Sequence, residues 1–318
     1  MRLQWRPYQW TLKRPLQSAR GLWRERCGWL LRLEATGSGA VGWGEAAPLP
    51  PQHNACAEAI SALPAELSHE ALNTAMAELP KPVAFALGLA LCELEAVHGH
   101  HWLPAPASAV LLPAGPEAIA ALTEAQHQLP AARSPLVAKW KVGALADEQE
   151  LEVLETLLEQ LSAGDQLRLD ANGGWDRATA GRWAMRLQNE AKLQWLEQPL
   201  APQDHAGLLA LARRLPVALD ESLRDCAGIP AEWSGWLVHK PALEGDPRAL
   251  LRQLRCGAPK RMVSSALESG IGARAVAHLA ALAWSGPTPC PAGLAPGWGP
   301  SGALGSLDPQ TVWEAAEP

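Results

Sequence analysis

Phenylalanine and tyrosine are nearly missing: the 318 residues hold one of each beside 15 tryptophans, so tryptophan must fill core sites where another aromatic would serve. Paired cysteines are missing too. The six (Cys27, Cys56, Cys92, Cys226, Cys256, Cys290) lie far apart with no C-x-x-C, which excludes a zinc knuckle or a compact disulfide framework. They read as reduced core thiols of a cytoplasmic protein. The best apolar run, Val83 to Cys92, falls far short of the roughly 20 residues a membrane span needs. The opening "MRLQWRPYQW" carries no signal-like stretch, so neither export nor membrane insertion is expected. Nor is there an excess of positive charge. With 27 basic and 33 acidic residues the net charge is -6, which argues against nucleic acid or an anionic membrane as partner and leaves small-molecule chemistry as the expectation.

What is present is a chain of 48% hydrophobic and 19% charged residues, long enough for two domains or for one barrel with a cap. Its texture changes near residue 105. Residues 1 to about 47 alternate apolar and polar positions, as in "GWLLRLEATGSGAVGWGE", which predicts a β-hairpin and a neighbouring strand. The glycines of "GSGAVGWG" stand between two strands rather than between a strand and a helix, which disfavours a phosphate loop. Asn54–Leu67 and Val83–Val97 have helical spacing. The part up to about residue 104 is therefore expected to be α+β, a small antiparallel sheet followed by helices, with a second part from 105 onward. In that second part short apolar runs ("LVAKWKV", "LRLDAN", "QWLEQP", "VALDES", "WLVHKP", "RMVSSA" and, more faintly, "TPCPAG") alternate with helical segments such as 146–161, 176–190 and 246–256, the pattern of a parallel β/α architecture.

Each run ends in a polar or ionisable side chain: Lys139 and Lys141, Asp170, Glu197, Asp220, Lys240, then Ser264 and Ser265. From Lys141 to Ser264 the intervals are 29, 27, 23, 20 and 24 residues, about one βα unit each. A closed barrel gathers such strand ends round one mouth, whereas an open sheet spreads them along an edge. Lys139 and Lys141, two apart on a strand, share one face and demand nearby anions. Asp170, Glu197 and Asp220 would crowd three carboxylates into a small volume, which calls for a cation. An all-oxygen set suits Mg²⁺ better than zinc. A lysine beside other positive charge can act as a base. The implied step is removal of a proton alpha to a carboxylate, with Lys240 as a second acid/base or as fixed charge.

The motifs "AKWKVG", "LRLDANGGW", "WLEQPL", "ALDESL", "HKP" and "SSALESGIG", in this order and spacing, resemble the enolase superfamily and within it the o-succinylbenzoate synthases, over nearly the whole chain. The resemblance implies a modified β/α (TIM-type) barrel over 105–299 with an N-terminal α+β cap over 1–104, joined by the C-terminal segment of about 300–318. It implies Lys141 as the base, and as the acid that protonates the departing hydroxyl. Asp170, Glu197 and Asp220 would bind Mg²⁺, with Mn²⁺ also conceivable, and Lys240 would stabilise the enediolate by charge. The expected reaction is conversion of 2-succinyl-6-hydroxy-2,4-cyclohexadiene-1-carboxylate to 2-succinylbenzoate in menaquinone or phylloquinone biosynthesis. Ser264, Ser265 and Glu268 fall where the family binds the succinyl tail. Gly293 fits the last strand's end, although the proline-rich sequence around it departs from the family pattern. "QSARGLWRERCGW" corresponds to a loop that closes on substrate in relatives.

Alternatives stay open residue by residue. Lys139 would orient and tune Lys141 or pair structurally with an acid. Asn172 reads as a substrate contact or as a supporting neighbour of the metal ligands, and Arg168 as a partner of substrate or of a buried ion pair. Glu221, next to Asp220, offers an alternative ligand, but adjacent strand residues face opposite ways, so it should face away. "HGHH" (98–101) reads as a solvated loop. At the level of the whole chain, an N-acylamino acid racemase or dipeptide epimerase using Lys141 and Lys240 as two bases is the runner-up. A carboxylate-binding barrel without turnover and a Schiff-base aldolase on Lys240 are weaker alternatives.

Overall fold

The computed structural model describes residues 1–99, 101–128, 135–225 and 228–316. Cys226 and His100 lie outside the described residues. The chain divides into two compact units: Met1–Lys13 with Glu25–Ala107 and His239–Pro318, and Arg14–Arg24 with Ser108–Val238.

In the first unit a three-stranded sheet in the order β1-β2-β3 is built from β1 (Arg2–Ser18), β2 (Gly21–Glu34) and β3 (Val41–Ala46), with Arg14–Ser18 of β1 and Gly21–Arg24 of β2 belonging to the second unit. β2 and β3 run antiparallel, Leu30 opposite Glu45 and Leu31 opposite Gly44. The helices α1 (His53–Ala62), α2 (His69–Ala75) and α3 (Lys81–Leu94) follow. The helix expected to reach Leu67 stops at Ala62, because Leu63 precedes Pro64 and takes an extended conformation, as a residue before proline prefers. Ser68 then caps α2, its side chain accepting from Ala71 N. The glycines of "GSGAVGWG" serve packing. A Cβ on Gly42 would stand 2.0 Å from Ala90 O and one on Gly44 2.0 Å from Ala86 O, so α3 lies directly against the backbone of β3. Two-residue spacing on the strand meets four-residue spacing on the helix.

The second unit alternates strand and helix: β4 (Val110–Leu111), α4 (Glu117–Gln128), β5 (Val137–Lys141), α5 (Asp147–Gln160), β6 (Gln166–Asp170), α6 (Arg177–Leu187), β7 (Leu193–Glu197), α7 (His205–Ala212), β8 (Val217–Leu219) and β9 (Trp236–His239), whose last residue belongs to the first unit. The pairs β4·β5 through β8·β9 are parallel, and the sheet runs β10-β9-β8-β7-β6-β5-β4 with β10 (Arg261–Val263) beside β9. β4, only two residues long, is too short to show alternation and is not among the strands read from sequence. The last faint run is only bridge residues, Ala292 and Gly293, the latter paired with Ser264, rather than a strand. Back in the first unit, α8 (Pro247–Arg255), α9 (Gly270–Trp284) and α10 (Pro309–Ala315) complete the chain.

Both faces of the parallel strands are covered, which is why "VAKWK" is buried at every position. Trp140, Trp183 and Trp195 are wholly buried, and Trp175 stacks on Trp183 at 4.8 Å between centroids. None of the five described cysteines forms a disulfide. Cys56, Cys92 and Cys290 are buried as expected, but Cys27 is only partly covered and Cys256 is exposed at the end of α8, where nothing packs over it.

Candidate active site

The alternation of β5 turns Trp140 to one face and Lys139 and Lys141 to the other. Parallel register sets Lys141 level with Asp170 and Asp170 level with Glu197, so charge from three strands converges without any long side chain having to reach. Lys139 Nζ lies 2.9 Å from Asp170 Oδ2 and 2.7 Å from Glu197 Oε1. Lys141 Nζ donates to the same Asp170 Oδ2 at 3.0 Å and to Asn172 Oδ1 at 2.9 Å. Burial works against the Lys139 ammonium, but Asp170, Glu197 and Asp220 together overcome it and raise its pKa. All three carboxylates are fully buried.

The segment after β6 is held by its own polar atoms. Asp170 Oδ1 accepts from Asn172 N at 3.1 Å, and Asn172, at φ +48°, sends Nδ2 to Glu221 Oε1 at 3.2 Å. After β5, the buried carboxylate of Glu150 accepts from the backbone N–H groups of Gly143, Ala144 and Leu145 at 2.7–3.0 Å, pinning the turn that follows Lys141. After β8 the strand stops at Leu219, and Glu221 opens a short 3-10 turn. Strand alternation therefore ends before Asp220. Both it and Glu221 are buried, which corrects the expectation that Glu221 faces away. Arg224 Nη2 binds Asp220 Oδ1 at 2.8 Å and lies 3.5 Å from Glu221 Oε1.

Sequence reasoning set Glu221 aside and missed Arg224 and Arg20. Arg20, in the β1–β2 turn, donates from Nε to Asn172 O at 2.9 Å and stands 3.7 Å from Glu221 Oε1. The one available signal was the basic turn within "QSARGLWRERCGW". Arg168 is fully buried, with Nε on Gln194 Oε1 and its guanidinium 4.1 Å above the Trp195 ring. Lys240 follows β9 in the first unit, its N–H donating to Glu244 Oε1.

The other residues predicted from sequence form a second group, within the first unit. Ser264 Oγ donates to Gly293 O at 3.0 Å, as does Ser265 N. Ser265 Oγ donates to Glu268 Oε2 at 2.6 Å, and Ala266 N to Glu268 Oε1 at 2.7 Å. His98 of "HGHH" stacks on Trp102 at 4.1 Å rather than standing in solvent, because its Nδ1 is tied to Cys92 O at 3.1 Å.

Among the described residues no group of three His, Cys, Asp or Glu side chains is arranged to hold a metal ion. The Lys139 ammonium lies between Asp170 and Glu197, and Arg224 lies on Asp220. In kind, the donors fit a hard divalent cation. They are oxygens only, dry, and so dense in negative charge that buried amines are drawn among them.

A curated o-succinylbenzoate synthase of Thermosynechococcus vestitus is 40% identical over 293 residues, covering 88% of each chain. The chain belongs to the o-succinylbenzoate synthase family of the enolase superfamily. A sequence profile described as "Enolase C-terminal domain-like" matches residues 124–231. The crystal structure of o-succinylbenzoate synthase from Thermosynechococcus elongatus BP-1, complexed with Mg in the active site, superposes with a TM-score of 0.79 at 35% identity, covering 99% of this chain and 100% of that one. The fold class is thereby the family's modified β/α barrel with an N-terminal α+β cap. A dipeptide epimerase from Cytophaga hutchinsonii, complexed with Mg and a dipeptide, superposes at 0.76 with 20% identity over 95% of this chain and 89% of that one, a likeness of fold. Among the described residues no helix is long and apolar enough to cross a membrane.

Proposed function

We propose that this member of the o-succinylbenzoate synthase family is the hydro-lyase that converts 2-succinyl-6-hydroxy-2,4-cyclohexadiene-1-carboxylate to 2-succinylbenzoate, in the cytoplasm, on the route to menaquinone or phylloquinone. The observation that carries the reading is the amine of Lys141, held between Asp170 Oδ2 and Asn172 Oδ1 in a buried cluster of acids, in a chain with this family membership. Residues 1–104 with about 300–318 act as the capping domain, and 105–299 as the barrel.

Asp170, Glu197 and Asp220 would hold Mg²⁺, with Mn²⁺ a possible substitute, and the ion would supply positive charge to the substrate's carboxylate oxygens. Lys141 Nζ takes the proton alpha to that carboxylate and returns it to the hydroxyl, which leaves as water. Lys139 fixes the orientation of Asp170 and Glu197, between which its ammonium lies. Asn172 aims the Lys141 amine through its side-chain oxygen and, through Nδ2, ties that aim to Glu221. Lys240 supplies fixed positive charge to the developing enediolate. Arg168 supports the β6 strand beneath Asp170, while Ser264, Ser265, Glu268 and Gly293 shape the turn that receives the succinyl tail. Aromatisation provides the driving force, so one well-placed amine is sufficient acid/base equipment.

Incubation with the hydroxy-cyclohexadiene substrate and Mg²⁺ should give the ultraviolet absorbance of the aromatic ring, and removal of divalent metal by chelation should abolish it. Absence of ring formation, with N-succinyl amino acids racemised instead, would reassign the chain to the racemase activity.

A further inference from the structure

Glu45, on β3, is fully buried, and its carboxylate receives four donors. Oε1 accepts from Tyr8 OH at 2.5 Å and from Ser269 N at 2.7 Å. Oε2 accepts from Ser269 Oγ at 2.6 Å and from Gly272 N at 2.8 Å. Three of these donors belong to the start of α9, more than 220 residues along the chain, where unpaired backbone N–H groups and the helix dipole favour an anion. The fit is close: a Cβ on Gly272 would lie 2.7 Å from both Glu45 Oε2 and Glu268 Cβ.

Directly before α9 runs the turn Ser265–Glu268, closed on itself. The buried Glu268 carboxylate binds Ser265 Oγ and Ala266 N, and Ser265 Oγ also accepts from Leu267 N at 2.7 Å. Leu267 sits at φ +64°, a left-handed conformation that costs a branched side chain about 1–3 kcal/mol and persists only where its surroundings impose it. The turn's far end is also fixed. That end is Ser269, and Glu45 grips it at both N and Oγ. Glu45 Oε2 and the aliphatic stem of Glu268 both pack against Gly272.

We propose that Glu45 is a positioning residue for the reaction: by clamping the start of α9 it holds the Ser264–Glu268 turn, strained at Leu267, in the shape that receives the substrate's succinyl carboxylate. The inference rests on the reading of that turn as the tail site. Glu45 touches no reacting atom, so its loss weakens substrate capture more than the chemical step.

The test is a KM-against-kcat comparison in the full chain for Glu45→Gln, Tyr8→Phe and Ser265→Ala. Glu45→Gln should raise KM about ten-fold with kcat changed less than about three-fold, the pattern of lost uniform binding. Tyr8→Phe removes one of the four donors and should raise KM about two- to three-fold. It decides the question by itself if Glu45→Gln does not fold. Unchanged KM in the folded Glu45 and Tyr8 variants, or a fall in kcat alone, overturns the proposal. If Ser265→Ala raises KM while those two do not, only the role of Glu45 falls. If Ser265→Ala leaves KM unchanged, the tail reading falls and takes the proposal with it.

Discussion

Lys141 is one methylene chain among buried acids, and its chemistry depends on what holds its tip. Asp170 and Asn172 each take one hydrogen bond from the amine, so the nitrogen is aimed before substrate arrives. Lys141→Ala removes the proposed base but leaves Lys139 bridging Asp170 and Glu197, so the charge cluster keeps a cation. Ring formation should fall by at least about 10³-fold with unfolding by urea little changed. Steady-state assay beside a denaturation curve checks both halves, and near-normal turnover would remove Lys141 from its role. Asn172 merits the same attention, since its left-handed backbone and three polar contacts join Lys141, Asp170 and Glu221.

At the scale of elements, β3 lies directly against α3. Gly42 and Gly44 face Ala90 and Ala86 with no room for even a methyl group. Gly44→Ala would drive a Cβ into a helix carbonyl, and backbone cannot swing aside as a side chain can. The expected loss is about 3 kcal/mol of stability, read as a lower urea midpoint, with any soluble protein keeping its kcat because neither lysine of β5 moves. A rise or no change in the midpoint would mean that the helix can shift at little cost. Glu150 shows the same logic from the polar side: one carboxylate organises three successive N–H groups that no strand or helix satisfies.

Across the whole molecule, stability should depend on pH through His278. The ring is 3% exposed, its Nδ1 accepts from Leu103 N at 3.1 Å, and burial, with His98 and Arg255 adding positive charge, pushes its pKa down to about 4. In the unfolded chain the ring titrates near its ordinary value of about 6.5. Between these values the unfolded state binds a proton that the fold refuses. This contribution is therefore complete above about pH 6.5 and is lost as pH falls toward 4. Urea midpoints at about pH 7 and about pH 5 should differ more in the native chain than in His278→Asn, which keeps an acceptor without a titrating ring. Equal differences would show that other groups set the acid sensitivity.

Much of this was legible in the one-dimensional order of residues. The βα rhythm, the face shared by Lys139 and Lys141, and the spacing of Asp170, Glu197 and Asp220 follow from a strand period of two and a unit length of about 25 residues, quantities that local sequence carries. The purpose of Gly42 and Gly44, the inward turn of Glu221, the reach of Arg20 to Asn172 and the grip of Glu45 on Ser269 were not legible. Each depends on a partner far along the chain or on where a strand happens to stop, and hydrogen bonds over 2.6–3.2 Å leave no periodic trace. The order of residues by itself determined which groups are candidates for the chemistry, because side-chain type and strand register are local. Only the tertiary structure decided what holds those groups still, because buried charge is stabilised by whichever donors the folded chain brings within reach.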